Sequence, residues 1–305
     1  MAACGGGSAS SADLGGSGSV AAATTPPTTS TTTAPVSSPA PTATTLSIAT
    51  QGGVTAAVPM AQLGGNVQLL GTYPTLNTIP EAGIYGSGNV LGSALRFGKI
   101  DDPTGANRKV FRYALSINDP DTAGTVKRVD TIPPNSSILK DTVYWSAMEV
   151  YIPANTYTAN DSSVIADIHI GASCCSGNWG LQLNKGVFQI AKTWDNGSGE
   201  QSTWTTVSPQ PPADKWLKII VQWKANATGA NGAFIKAWVN GVQVYNDTGP
   251  NTVPGGGDYA KFGYYNYTIS NGGDTSRPER EVFWRSYYLV KDAGYTLEQV
   301  TAVLQ

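Results

Sequence analysis

Alternation between apolar and polar side chains dominates the body of this chain, and that period of two most constrains the fold. Leu217, Ile219, Val221 and Trp223 alternate with Lys218, Gln222 and Lys224. Tyr144, Ser146, Met148, Val150 and Ile152 make a mostly apolar face, and Val143, Trp145, Ala147, Glu149 and Tyr151 a mixed aromatic one. Val282, Trp284, Ser286, Tyr288 and Val290 repeat the pattern. Successive side chains of a strand point to opposite faces, so such runs are half-buried strands rather than helices. Ala233 to Val239 and Val242 to Tyr245 flank Asn240-Gly241, whose tolerance of positive φ marks a two-residue hairpin. A single helix is expected, from Tyr295 to Gln305, with Thr296 as its cap and Leu297, Val300 and Leu304 on one stripe.

Many strands without βαβ alternation imply an all-β sandwich of two antiparallel sheets, of the concanavalin-like jelly-roll type, with one sheet curved into a concave groove and a short C-terminal helix. Half of the eight tryptophans are expected in its core, and Trp145 is a candidate platform for a sugar ring.

The first part of the 305-residue chain obeys other rules. From Gly5 to Thr45 it is almost entirely Gly, Ala, Ser, Thr and Pro, and Asp13 is its sole charge. It lacks the apolar surface that would offset the entropy of ordering it. Residues 1–45 are therefore expected to be a tether, stiffened at its prolines, and residues 46–305 one domain. Met1-Ala2-Ala3-Cys4 resembles the end of a bacterial lipoprotein signal, in which the cysteine is lipidated. That resemblance implies a protein of the bacterial cell envelope, anchored to the outer membrane through Cys4, or one that is secreted. No run is apolar enough to span a bilayer, so membrane contact is expected only through the lipid. Cys174 and Cys175 then remain as an adjacent pair, and an oxidising compartment allows a vicinal disulfide between them. Neighbouring Cα atoms lie only about 3.8 Å apart, so that ring is strained. Two reduced thiols, or a bond to another molecule, are the alternatives.

Charge is nearly balanced, with 19 Lys and Arg against 21 Asp and Glu, which argues against a nucleic-acid partner. The first cation is Arg96, so all of them lie in the body, available to a local anionic site. His169 is the only histidine. It shares a strand face with Asp167, while Ile168 and Ile170 take the other. Two polar side chains in so apolar a strand face a cleft or satisfy each other. A second strand puts Tyr259, Lys261, Gly263 and Tyr265 on one side. Two phenols and an ammonium, with a glycine that lets a ligand approach the backbone, make an unusual face.

Tyr259-Ala260-Lys261-Phe262-Gly263-Tyr264-Tyr265-Asn266 resembles the Tyr-Phe-Lys-Ala-Gly-x-Tyr-Asn signature of jelly-roll alginate lyases, relatives of the glucuronan and heparin-I-type lyases. It matches at Tyr259, Lys261, Gly263, Tyr265 and Asn266. Asp167-Ile168-His169 stands where those families have Gln-Ile-His or Gln-Trp-His-Gly, and Lys127-Arg128-Val129-Asp130 where they have an Arg-x-Glu strand. The order of the blocks agrees, and the likeness runs from about Ala94 to Asp292.

The resemblance implies cleavage of a uronate-containing acidic polysaccharide by β-elimination, without metal or other cofactor, by a monomer. Tyr265 is then the acid, and in syn elimination also the base. His169 is the base for the opposite stereochemistry, or binds the carboxylate. Arg128 and Lys261 hold the carboxylate, which must be neutralised before the adjacent C–H becomes acidic enough to lose its proton. Asp167, Tyr259, Asn266 and Trp145 are the expected further substrate contacts. Asp167 departs from the family's Gln, and an ionised Asp repels a uronate. Either a cation such as Arg128 neutralises it, or it turns toward His169, or the substrate differs. A non-catalytic, laminin-G-like carbohydrate-binding sandwich is the main alternative. A retaining glycosidase needs two carboxylates about 5 Å apart, usually from a Glu-x-Asp-x-x-Glu run, and no such run occurs.

Overall fold

A computed structural model describes residues 67–72, 84–86 and 96–304, apart from 120–126, 133–135, 158–159, 172–176, 209–211, 270–275 and 292–293. The tether, Cys4, Cys174 and Cys175 lie outside these residues, as does the expected domain boundary at residue 46.

In chain order the strands are β1 (Val67–Thr72), β2 (Ile84–Gly86), β3 (Phe97–Asp101), β4 (Lys109–Ser116) and β5 (Lys127–Thr131). There follow β6 (Val143–Tyr151), β7 (Ser162–His169), β8 (Gly177–Asn184), β9 (Val187–Asp195) and β10 (Glu200–Ser208). The last are β11 (Trp216–Lys224), β12 (Phe234–Val239), β13 (Val242–Thr248), β14 (Tyr259–Asn266) and β15 (Glu279–Lys291), before helix α1 (Leu297–Ala302). All the strand pairings are antiparallel.

Eight strands form one sheet in the order β13-β12-β11-β6-β15-β4-β3, with β1 also paired to β15. Seven form the other, in the order β10-β9-β8-β7-β14-β5-β2. Their inner faces share one core. Met148, Val150, Ile219, Val221 and Trp284 from the first sheet meet Ile168, Trp179, Leu181, Phe262 and Tyr264 from the second. Trp179 meets Trp223 edge-on across the sheets, at 5.5 Å between centroids. Phe262 stacks on Tyr287 at 4.9 Å and leans on Trp284 at 5.1 Å, which pins β14 from beneath. At one margin Lys192 of β9 pairs with Asp247 of β13.

Trp145, Trp179, Trp223 and Trp284 are buried, which is half of the eight. The Asn240-Gly241 turn is present, with φ of 50° and 83°. The helix is shorter than its stripe suggested, at six residues, and Thr296 caps it through a capping box with Gln299. The expected single face of β15 is broken. Its register shifts between Trp284 and Ser286. Val282 and Trp284 therefore face the inter-sheet core, whereas Tyr288 and Val290 face outward beneath α1. One extra residue at a bulge inverts every side chain beyond it.

Candidate functional site

The site lies on the outer face of the seven-stranded sheet, where β5, β14 and β7 run side by side. Register fixes which residues meet, because residues paired across an antiparallel ladder point to the same face. Tyr259 is paired with His169 and Lys261 with Asp167. Tyr265 is paired with Val164 on one side and Arg128 on the other. Ala260, Phe262 and Tyr264, the intervening residues of β14, are in the core. The expected face of two phenols, an ammonium and a glycine is therefore formed. The β14–β7 register slips between Phe262 and Tyr265, and the β7–β8 register between Val164 and Ala166 and again between Asp167 and His169. Three such irregularities thus sit beside the cluster and aim its side chains.

Gly263 is required here. Its φ is +144°, and a Cβ would lie 2.5 Å from Asp130 Cα and 2.6 Å from the Val129 carbonyl oxygen. Only glycine lets β14 approach β5 so closely.

The charges are arranged in pairs. Arg128 Nη2 donates to Asp130 Oδ2 at 2.8 Å and to Oδ1 at 3.1 Å, and Arg128 Nε reaches Oδ1 at 3.2 Å. Lys261 Nζ lies 3.5 Å from Asp167 Oδ2. The Tyr265 ring stands between the two cations, with Arg128 Cζ and Lys261 Nζ each 5.4 Å from its centroid. His169 leans on Tyr259 at 5.0 Å between ring centroids. A small pocket is lined by Asp130, Asp167, Lys261, Gly263 and Tyr265, among others.

Burial sets the protonation states. It pushes Asp167 up to about 6, with Lys261 opposing the rise and Asp130 adding to it. Asp167 Oδ1 is buried without a hydrogen-bond partner among the described residues. Burial, reinforced by the positive potential of Lys261 and Arg128, drives His169 down to about 3. The imidazole is consequently neutral at ordinary pH and can accept a proton or a hydrogen bond. Its Nδ1 is buried with no hydrogen-bond partner among the described residues.

His169, Tyr265, Lys261, Arg128, Asp167 and Tyr259 thus share one face of three adjacent strands. Two expected contacts do not. Trp145 belongs to the opposite sheet, where it is 3% exposed and stacks on Trp238 in the cluster capped by Val300 and Leu304 of the C-terminal segment. The β6 alternation was right, but the face it presents is covered by the helix rather than by a ligand. Asn266 points inward and is fully buried. Its Oδ1 accepts from the Thr268 and Ile269 amides at 3.0 and 2.8 Å, and its Nδ2 donates to Ser163 Oγ at 3.4 Å. Asn266 therefore shapes the turn that ends β14. The neutralising partner of Asp167 is Lys261, whereas Arg128 is taken by Asp130, the carboxylate whose bidentate role the sequence did not disclose.

Comparison with known proteins bears on the fold and the family. The chain's fold resembles that of an endo-β-1,4-glucuronan lyase from the fungus Trichoderma reesei, with a TM-score of 0.53 and 12% identity over 64% of this chain and 87% of that one. An alginate lyase of polysaccharide lyase family 7 matches at a TM-score of 0.45 and 12% identity, covering 66% of this chain and 84% of its own. An alginate lyase from a Corynebacterium species matches at a TM-score of 0.45 and 14% identity, covering 74% and 93%. No curated protein matches the sequence. A family model, described as polysaccharide lyase, matches residues 101–285, a span that holds every strand of the cluster. On that match, over more than half of its length, this chain belongs to the polysaccharide lyase family.

Proposed function

We propose that this protein cleaves a uronate-containing acidic polysaccharide by β-elimination on the face formed by β5, β14 and β7. The observation that carries the proposal is the Tyr265 ring flanked at 5.4 Å by both Arg128 and Lys261. A uronate whose carboxylate is held by these cations presents its C5 proton and C4 oxygen to the phenol and imidazole of the same face. The cations draw charge from the carboxylate and so acidify the adjacent C–H. Tyr265 protonates the leaving C4 oxygen, and in syn elimination it also removes the C5 proton. His169, neutral and partly exposed, is the base for the opposite stereochemistry or a ligand to the carboxylate. The test is ultraviolet absorbance of the unsaturated uronate product, measured on a panel of acidic polysaccharides. No product from any of them would end the proposal.

The charge balance favours one second reading. Both cations already carry a carboxylate partner, as suits a domain that binds a carbohydrate without cleaving it. Polymer affinity without any unsaturated product would select it.

The unusual Asp167 implies a pH dependence. Below about pH 6 it is neutral, and Arg128, Asp130, Lys261 and Asp167 together carry one positive charge. Above that pH it is ionised and they carry none. Affinity for a polyuronate is therefore expected to weaken as the pH rises through about 6. KM should grow by roughly fivefold to tenfold, the effect of one partly screened charge at close range. Asp167→Asn should hold KM at its low-pH value throughout. A wild-type KM that stays flat across this range would place the substrate carboxylate away from Lys261.

The N-terminal reading remains part of the proposal. Lipidation at Cys4 and a tether over residues 5–45 would hold the domain at the cell envelope, and the composition of that segment supports this.

A further inference from the structure

The candidate site continues across the sheet. From Lys261 the ladder runs to Asp167, then to Gly180 of β8, Ala191 of β9 and Trp204 of β10, each paired with the next. All five share the outer face. The two middle positions carry almost no side chain, and the last carries a large one. The row is thus a trough with a floor of Gly180 and buried Ala191 and an indole at its far end.

That indole is the distinctive feature. Trp204 is 52% exposed, whereas Trp145, Trp179, Trp223 and Trp284 are at most 3% exposed. Among the described residues, the other large apolar side chains as exposed as this are Leu139, outside the strands, and Val242, beside the hairpin turn. Leaving an indole in water forgoes its burial energy, so an exposed one continuous with a site is a candidate contact.

The flanks of the trough are uncharged and, Val164 apart, polar. On one side the neighbouring row runs from Tyr265 through Val164, Gln182 and Gln189 to Thr206. There Gln189 Nε2 donates to Thr206 Oγ1 at 3.2 Å, and Asn184 Nδ2 to Gln189 Oε1 at 2.9 Å. On the other side Thr193 Oγ1 and Ser202 Oγ are 2.9 Å apart. Amides and hydroxyls along a small-residue floor suit the hydroxyl edges of sugar rings, and an indole suits their apolar C–H faces. Three strand spacings separate Asp167 from Trp204, roughly 14 Å, enough for a few rings of an extended chain.

We infer that Trp204 is the stacking platform of a distal sugar-binding subsite, which holds the polysaccharide across β8, β9 and β10 while its scissile unit lies at Tyr265. The inference rests on the proposed action at that site, but it concerns binding and can be tested separately. The full chain and its Trp204→Ala and Trp204→Phe variants are run by affinity electrophoresis through gels containing alginate or polyglucuronate. Trp204→Ala should weaken retardation about tenfold, the upper range for one aromatic contact. Trp204→Phe, which keeps a ring, should recover most of it. On whichever polymer yields unsaturated product, kcat/KM of Trp204→Ala should fall about as much, and stay within about twofold on its disaccharide, too short to reach the platform.

The outcomes separate the two ideas. Retardation that depends on Trp204 without any unsaturated product would sustain the subsite and overturn the lyase proposal. Product formation with polymer affinity unchanged in Trp204→Ala would overturn the subsite alone. Equal losses on polymer and disaccharide would also overturn it, because Trp204 would then act on the reacting unit. A wild-type protein retarded by neither polymer would overturn it as well.

Discussion

Tyr265→Phe is expected to lower turnover on a polyuronate by at least about a hundredfold, while polymer affinity stays within a few-fold. The ring of Tyr265 stands between Arg128 and Lys261, and phenylalanine keeps that ring in place. The change deletes the oxygen that would carry a proton to the leaving group. Lost proton transfer appears in kcat, because it acts in the transition state and contributes little to ground-state binding. Folding should be nearly unaffected, since Tyr265 is only partly buried and one hydrogen bond is worth about 1 kcal/mol. The measurements are product absorbance, polymer affinity and thermal midpoint on the same preparation. Retained turnover would remove Tyr265 from the chemistry. If neither the wild type nor the variant yields product while both bind equally, the domain is a binding module.

Most of the architecture could be read directly, because period two is a local property. The alternations of β6 and β11 and the same-face placement of Asp167 with His169 all follow from counting residues along one strand. So does the inward turn of Asn266, which the match to a signature obscured. Asn266 sits one residue after Tyr265 and therefore on the other face, where its amide is consumed by the turn at Thr268 and Ile269.

What could not be read depends on relations between strands. Alternation identifies the two faces of β6, but not that α1 covers the one bearing Trp145. The β15 bulge between Trp284 and Ser286 has no mark in the sequence, yet it moves Tyr288 and Val290 to the opposite face. The partner of Asp167 is decided by the register of β14 on β7, which sets Lys261 opposite Asp167 and leaves Arg128 to Asp130. The same holds for Trp204. In Glu200–Ser208 it is one aromatic among polar residues, and only four consecutive pairings place it in line with Lys261.

The second large effect concerns this inter-strand geometry. Gly263→Ala is expected to lower the thermal midpoint by roughly 10 °C, from a destabilisation of about 3 kcal/mol or more. Two costs add. The φ of +144° is one that residues with a Cβ rarely adopt, and the new carbon would stand 2.5 Å from Asp130 Cα. That neighbour is backbone, so no side chain can rotate away, and β5 must separate from β14. Gly241 provides the control. It too has positive φ, +83°, but a Cβ there meets nothing within 4 Å. Gly241→Ala carries the conformational cost alone, about 1 kcal/mol, and should lower the midpoint by only a few degrees. The difference between the two variants measures the closeness of β5 to β14. It also has a functional side, because β5 carries Arg128 and Asp130. Displacing that strand moves one of the two cations from the Tyr265 ring, so any folded Gly263→Ala protein should lose most of its turnover, whereas Gly241→Ala should keep it. Equal midpoints for Gly263→Ala and Gly241→Ala would show that the two strands are not so close, and the alignment of Arg128 with Tyr265 would fall with that contact.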